Sequence, residues 1–229
     1  IGLPKTIDND IWGTDVTFGF HTAVGIGTEV VDRIHTTASS HKRVMVIEIM
    51  GNKAGWLTLY TGVAGGADVI LIPEIPYDIK KVVKAIERRA ASGRGFSIVV
   101  VAEGAFDAEE AKMKKKERAE KRAAEGITTA TARIVRQIEE SSGSETRMVV
   151  PGHFIRGGEP SAYDRVLASQ FGVYGAELFS RGIFGVTVAQ QNNEIVHNRL
   201  SDVAGKTKFV PVNDQMIFTA RSLGISFGD

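Results

Sequence analysis

Short β-branched runs recur along the chain, at residues 44–49, 69–72, 97–101, 148–150 and 183–188, most of them bounded by Gly or Pro. They show little polar alternation, which is the mark of strands buried on both faces of a parallel sheet. Helical spacing fills the intervals. Residues 22–34 carry Val24, Val30, Val31 and Ile34 on one face, and residues 79–86 and 161–179 behave similarly, the latter opening at Pro160-Ser161. Strands alternating with helices predict an α/β layered fold with ligand loops at the C-terminal ends of the strands.

Composition narrows the function. Hydrophobic residues make up 43% and charged residues 24% of 229 residues, and mean hydropathy is −0.03, a globular profile. Twenty-eight basic against 27 acidic residues leave a net charge of +1, so no global field points to nucleic acid or to an anionic membrane. The absence of cysteine excludes a disulfide scaffold and thiolate metal sites and fits a reducing, cytoplasmic setting. The apolar runs fall far short of the roughly 20 residues of a membrane-spanning helix. Ile1-Gly2-Leu3-Pro4 is not a signal peptide. It reads as the end of a strand without an initiator Met, so the expectation is an N-terminal truncation. Residues 105–126 depart from the pattern. The run Lys112-Met113-Lys114-Lys115-Lys116-Glu117-Arg118 has almost no apolar face and no interleaved aromatics, and reads as a solvated helix or excursion rather than a nucleic-acid patch.

Four segments carry chemistry. Pro4-Lys5-Thr6-Ile7-Asp8-Asn9-Asp10 gathers an ammonium, a hydroxyl and two carboxylates where a strand gives way to a loop. Asp8 could take a proton from a hydroxyl, Asp10 could hold Mg²⁺, and Lys5 and Thr6 could steady phosphoryl oxygens. A turn in which Asp and Asn cap backbone amides explains the same residues equally well. Met50-Gly51-Asn52-Lys53-Ala54-Gly55-Trp56 follows a strand, and its glycines either admit an anion to the next helix N-terminus or only turn the chain. Glu103, at a strand end beside Gly104, suits sugar hydroxyls or solvent. Arg147, and then His153 and Arg156 ahead of Gly157-Gly158, suit a phosphate monoester, or a surface ion pair and a turn. There is no P-loop, no His metal cluster and no nucleophile elbow.

In this order, the motifs PKTIDND, MGNKAGW, VAEG and GHFIRGGEPSAYDRVLAS resemble the phosphofructokinase family of ATP- and pyrophosphate-dependent enzymes, from Ile1 to about Asn193. The segment IGTEVVDRIHTTASSH is similar to its mixed-donor subgroup. The resemblance implies three-layer, parallel-sheet lobes around a cleft. Residues 1–18 and 153–193 would belong to a donor-side (ATP or pyrophosphate) lobe left incomplete, and residues 19–152 and 194–229 to a fructose 6-phosphate lobe. It implies transfer of a phosphoryl group to the 1-hydroxyl of fructose 6-phosphate, with Mg²⁺. Asp8 would be the general base, Thr6 would sit beside the moving phosphoryl, and Asp10 would lie near the metal. Met50, Gly51 and Glu103 would line the sugar pocket, while His153 and Arg156 would grip the 6-phosphate. Arg43 and Arg147 would be lent to a neighbouring subunit, implying a homodimer or homotetramer with shared active sites.

The departures from the family pattern set further expectations. Asn52 stands where the family usually has Arg, so either another cation compensates or turnover falls. Lys5 replaces the Gly of strictly ATP-dependent members, which leaves the donor open. The donor loop would precede Ile1, so this chain alone is expected to be inactive. Asp68 falls where regulated members bind a nucleotide's metal, or is a surface residue between helix and strand. The other reading is a non-catalytic, sugar-phosphate-binding regulatory subunit; the GHFIRGGEP segment argues against lipid or nicotinamide-cofactor kinases.

Overall fold

The computed structural model describes residues 1–229. Its centre is a parallel sheet of β1 (Val44–Ile49), β2 (Val69–Leu71), β3 (Ser97–Ala102) and β4 (Thr146–Val149), ordered β2-β3-β1-β4. The strands lack polar alternation because both faces are buried. Met45, Ile47, Ile49, Ile70, Ile98 and Val100 enter one apolar cluster, while Val44, Val46, Val69, Leu71, Val99 and Val101 enter another. Each fully buried side chain of this kind contributes about 1.5–3 kcal/mol.

Helices α1 (Phe20–His41) and α2 (Trp56–Ala64) cover the first face, and α3 (Ile79–Ala91) and α5 (Ala130–Ser142) the second, giving three layers. The β1–α2–β2 and β2–α3–β3 crossovers run in opposite directions on opposite faces, as a common right hand requires. From β1 the chain leaves over one face and from β3 over the other, so a crevice opens between their C-terminal ends.

The remaining chain packs on the α1 side. Helix α6 (Ala162–Ser180) leads to a hairpin of β5 (Val186–Gln191) and β6 (Glu194–Arg199), followed by α7 (Leu200–Val203) and α8 (Gln215–Ser222). Gly2 exchanges backbone bonds with Val186 and Val188, so the opening residues run as a parallel neighbour of β5. The lobe boundary expected at 193 falls inside this hairpin. Asn192 and Asn193 turn it in the left-handed region (φ 51° and 66°) and pair β6 with β5 rather than with the parallel sheet. Residues near Ser226 do reach the sheet, beside Val69. Leu167, Phe171 and Val188 share the core cluster of β1 and β3, so the two expected lobes have a continuous apolar contact.

Other departures are local. The helix expected at 22–34 runs on to His41, and the strand expected at 183–188 begins at Val186, because Gly182 and Gly185 turn the chain at positive φ. Residues 115–124 form a helix, α4 (Lys115–Ala124), with no buried residue. The segment before it is anchored internally: Glu110 is fully buried and paired with Arg122 (2.5 Å), and Asp107 with Arg133 (2.8 Å).

Candidate active site

The PKTIDND loop is shaped by its asparagine. Asn9 is buried at φ 52°, a left-handed position that Asn tolerates, and its Oδ1 accepts from the Thr17 amide (3.1 Å) and from Lys208 Nζ (3.0 Å). With Asn9 supplying the turn chemistry, Asp8 is left to face solvent space. The Asp8 amide donates to Thr6 Oγ1 (3.1 Å), and its carboxylate caps no backbone amide. Between the two readings of the sequence, the cap belongs to Asn9.

Asp8, Asp10, Met50, Asn52, Lys53, Ala54, Glu103 and Arg156 line a cleft of about 260 Å³ at the β1/β3 crevice. Burial raises the Asp8 pKa above the usual carboxylate range, and the nearby Asp10 and Glu103 charges add to the rise, while Arg156 and the Thr6 hydroxyl oppose it. Such a carboxyl is suited to accept a proton. A second cleft of about 330 Å³ adjoins through Arg156 and is lined by Lys5, Thr6, Gly19, Gly157 and Gly158. Five of the expected site residues, Asp8, Asp10, Met50, Glu103 and Arg156, thus meet in one cleft, with Lys5 and Thr6 next door.

The others stand apart. Gly51 shapes the loop after β1 at φ 143°, its would-be Cβ 2.9 Å from the Ala54 carbonyl. His153 is exposed on the short 3₁₀ turn Gly152–Arg156 and does not line the cleft. Arg43 and Arg147 lie at the opposite end of the sheet, about 20 Å away at strand rise, both paired with Glu145 (2.8 and 2.6 Å). The amide at the start of α2 that the sequence offered to an anion is taken: Gly55 N–H donates to Glu74 (2.9 Å), which also holds Val210 N–H (3.0 Å). Asp68 is likewise engaged, accepting from Ile98 N–H (2.9 Å) and pairing with Arg89 (2.5 Å).

A match to the phosphofructokinase family model covers residues 1–179. The chain belongs to the phosphofructokinase family. It is 56% identical over its whole length to an ATP-dependent 6-phosphofructokinase of Spirochaeta thermophila and 48% to ATP-dependent 6-phosphofructokinase 3 of Bacteroides thetaiotaomicron, covering 63% of each. It therefore spans under two thirds of the relatives it matches. The phosphofructokinase of Pichia pastoris in its T-state superposes with a TM-score of 0.72 at 31% identity, over 98% of this chain and 22% of that one. A pyrophosphate-dependent phosphofructokinase from Nitrosospira multiformis shares the fold (TM-score 0.76, 22% identity, 99% of this chain and 60% of that one).

Two residues that shape this candidate site escaped sequence reasoning. Lys208 Nζ donates to Asn9 Oδ1 (3.0 Å) and to the Thr14 and Asp15 carbonyls (both 2.9 Å), and its amide donates to the Asp10 carbonyl (2.9 Å). Burial lowers its pKa to about 8. Asp164, buried in the GHFIRGGEPSAYDRVLAS segment, accepts from the Gly19 and Thr22 amides (2.8 and 2.7 Å) and so caps α1 from α6. No local signal marks Lys208. Asp164 sits three residues after Ser161, which reads only as its own helix's N-terminus.

Proposed function

We propose that this chain carries the acceptor side of a phosphotransferase that converts fructose 6-phosphate to fructose 1,6-bisphosphate in glycolysis. The observation that carries the reading is Asp8: a carboxyl with a raised pKa, engaged in no cap, in a cleft with Glu103 and Arg156. Asp8 takes the proton of the 1-hydroxyl as that oxygen attacks the terminal phosphorus of the donor. The phosphorus–oxygen bond to the donor breaks, and its electron pair leaves with ADP or with phosphate.

Glu103 receives sugar hydroxyls, Met50 walls the pocket on a loop shaped by Gly51, and Arg156 neutralises phosphate charge from the side shared with Lys5 and Thr6. His153 closes on the 6-phosphate from the same turn as Arg156. The names of the two relatives favour ATP over pyrophosphate as donor. No cluster of three or more acidic or His side chains could cage a metal. Asp10, beside Asp8 in an electron-rich cleft, fits Mg²⁺, which is typically held by one or two carboxylates together with water and substrate phosphates. When bound, the ion neutralises phosphoryl charge. Arg43 and Arg147, gathered by Glu145 far from the cleft, serve the neighbouring site of a cytoplasmic homo-oligomer.

Neutral Asn52 favours a second reading, a regulatory subunit that binds the sugar phosphate without transfer. An aldolase-coupled assay of the full-length protein with fructose 6-phosphate and each donor separates them. Turnover is expected; tight fructose 6-phosphate binding without turnover overturns the first reading in favour of the second.

A further inference from the structure

Beside the acceptor cleft lies a larger cavity of about 650 Å³, and the two share Asn52, Lys53 and Glu103. Its far wall is α4, the charged helix without a buried residue. That helix is nevertheless fixed. Arg122 binds Glu110 through both Nε and Nη2 (2.8 and 2.5 Å) and reaches the Ala105 carbonyl (3.1 Å), and the Arg118 guanidinium stacks 4.2 Å from the Phe106 ring centre.

The cations of α4 divide into two sets. Lys116 pairs with Glu120, Lys121 with Glu109 and Arg122 with Glu110. Lys115 forms no ion pair, and its Nζ donates to the neutral Asn52 Oδ1 at 2.7 Å. Lys53 lines both cavities and has neither an ion pair nor a side-chain hydrogen bond. Lys53 thus stands in the cleft with Asp8, Asp10 and Glu103, while Lys115 stands in the adjoining cavity and reaches the cleft's own Asn52; Arg118, the other cation there without a carboxylate partner, is stacked on Phe106. A phosphoryl group in transfer spreads negative charge over its equatorial oxygens, and three carboxylates with one arginine do not balance it.

We propose that Lys115, steered by Asn52 and assisted by Lys53, binds the phosphoryl group delivered to the sugar. The charged helix α4 is thereby a working wall of the acceptor site. This rests on the acceptor reading given above and adds to it the cation that uncharged Asn52 cannot supply. Lys115 contacts the phosphoryl at the 1-position only, so it distinguishes product from substrate.

The test compares equilibrium binding of fructose 1,6-bisphosphate and fructose 6-phosphate by calorimetry in the full-length protein, for Lys115→Met, Lys53→Met and the control Lys116→Met. Lys115→Met is expected to weaken bisphosphate binding about tenfold or more, to leave fructose 6-phosphate within about threefold, and to lower kcat by roughly 10–100-fold. Lys53→Met should follow with a smaller loss, and Lys116→Met should change neither. Equal weakening of both sugars, or no change in either, overturns the assignment while the acceptor reading stands. A parent protein that binds neither sugar phosphate overturns the acceptor reading itself, and this assignment with it.

Discussion

The Asn52 backbone presses against Gly104: a Cβ on Gly104 would fall 2.8 Å from the Asn52 carbonyl carbon and 3.1 Å from its Cα. The loops after β1 and β3 thus meet backbone to backbone at the crevice, and no side-chain rotation can relieve an added methyl. Gly104→Ala is expected to push the two loops apart, lowering both kcat/KM by about 100-fold, as a misplacement near 1 Å does, and the melting temperature. Wild-type turnover in that variant would show that the contact is not tight.

Asp8→Asn separates catalysis from stability. Loss of the base should cost about 10²–10⁴ in kcat, whereas thermal stability at neutral pH should rise. The sign follows from the raised pKa. The folded state binds the Asp8 proton more tightly than the unfolded chain, so the ionised carboxylate penalises the fold above its folded pKa and not below the ordinary carboxylate range. The gain in melting temperature should therefore be present at pH 7 and vanish as the pH falls through that window. A variant less stable than the parent at pH 7 contradicts the assigned environment.

On the acceptor reading, Arg156 bears on both the substrate and the base. Arg156→Ala should raise KM for fructose 6-phosphate roughly 10–100-fold through loss of charge-assisted bonds. It should also move the acid limb of kcat/KM to higher pH, because Arg156 lowers the Asp8 pKa. Arg156→Lys should restore the limb more fully than the KM. A KM change with no shift of the limb would uncouple the two residues.

Lys208 clamps the loop that carries Asp8 and Asp10. Lys208→Met strands three acceptors and should destabilise the fold by about 2–4 kcal/mol. Its folded pKa of about 8 lies below that of an unfolded lysine, so the unfolded chain binds more protons between the two values and stability rises with pH there. The parent's advantage over the variant in urea melts should widen from pH 8 to pH 10. A constant gap would show that Lys208 keeps an ordinary pKa.

The proposed sharing of sites between subunits predicts complementation. Arg43→Ala and Asp8→Asn, each inactive alone, should recover about a quarter of parental activity when unfolded together and reassembled as dimers, since half the dimers hold one intact site. Arg43 pairs only with Glu145, so its loss should spare the fold. A mixture as inactive as its components places Arg43 outside any shared site.

Much of this was legible in the chain. Unalternated β-branched runs gave the doubly buried strands β1 and β3, and the glycines beside them gave the loops of the crevice. Ordered motifs identified Asp8, Glu103 and Arg156 together. The β5–β6 hairpin was missed, although Asn192-Asn193 carried its signal in two residues that tolerate positive φ. The glycines before α2 left an anion site or a mere turn open, and the turn holds because Glu74, 19 residues on, takes the Gly55 amide.

The PKTIDND segment shows the division most plainly. Its sequence determined that two carboxylates flank an asparagine at a strand end, and left open which of the three would turn the chain. Only the tertiary structure decided that Asn9 does so, because Thr17 and Lys208, 8 and 199 residues away, supply its partners. The same holds for Lys115, an undistinguished member of a lysine run until α4 packs so that its Nζ donates to Asn52, 63 residues earlier. Local pattern fixes which residues can ionise and how the chain turns. Which charges are spent on one another and which remain for a ligand depends on contacts between distant segments, and those exist only once the core has closed.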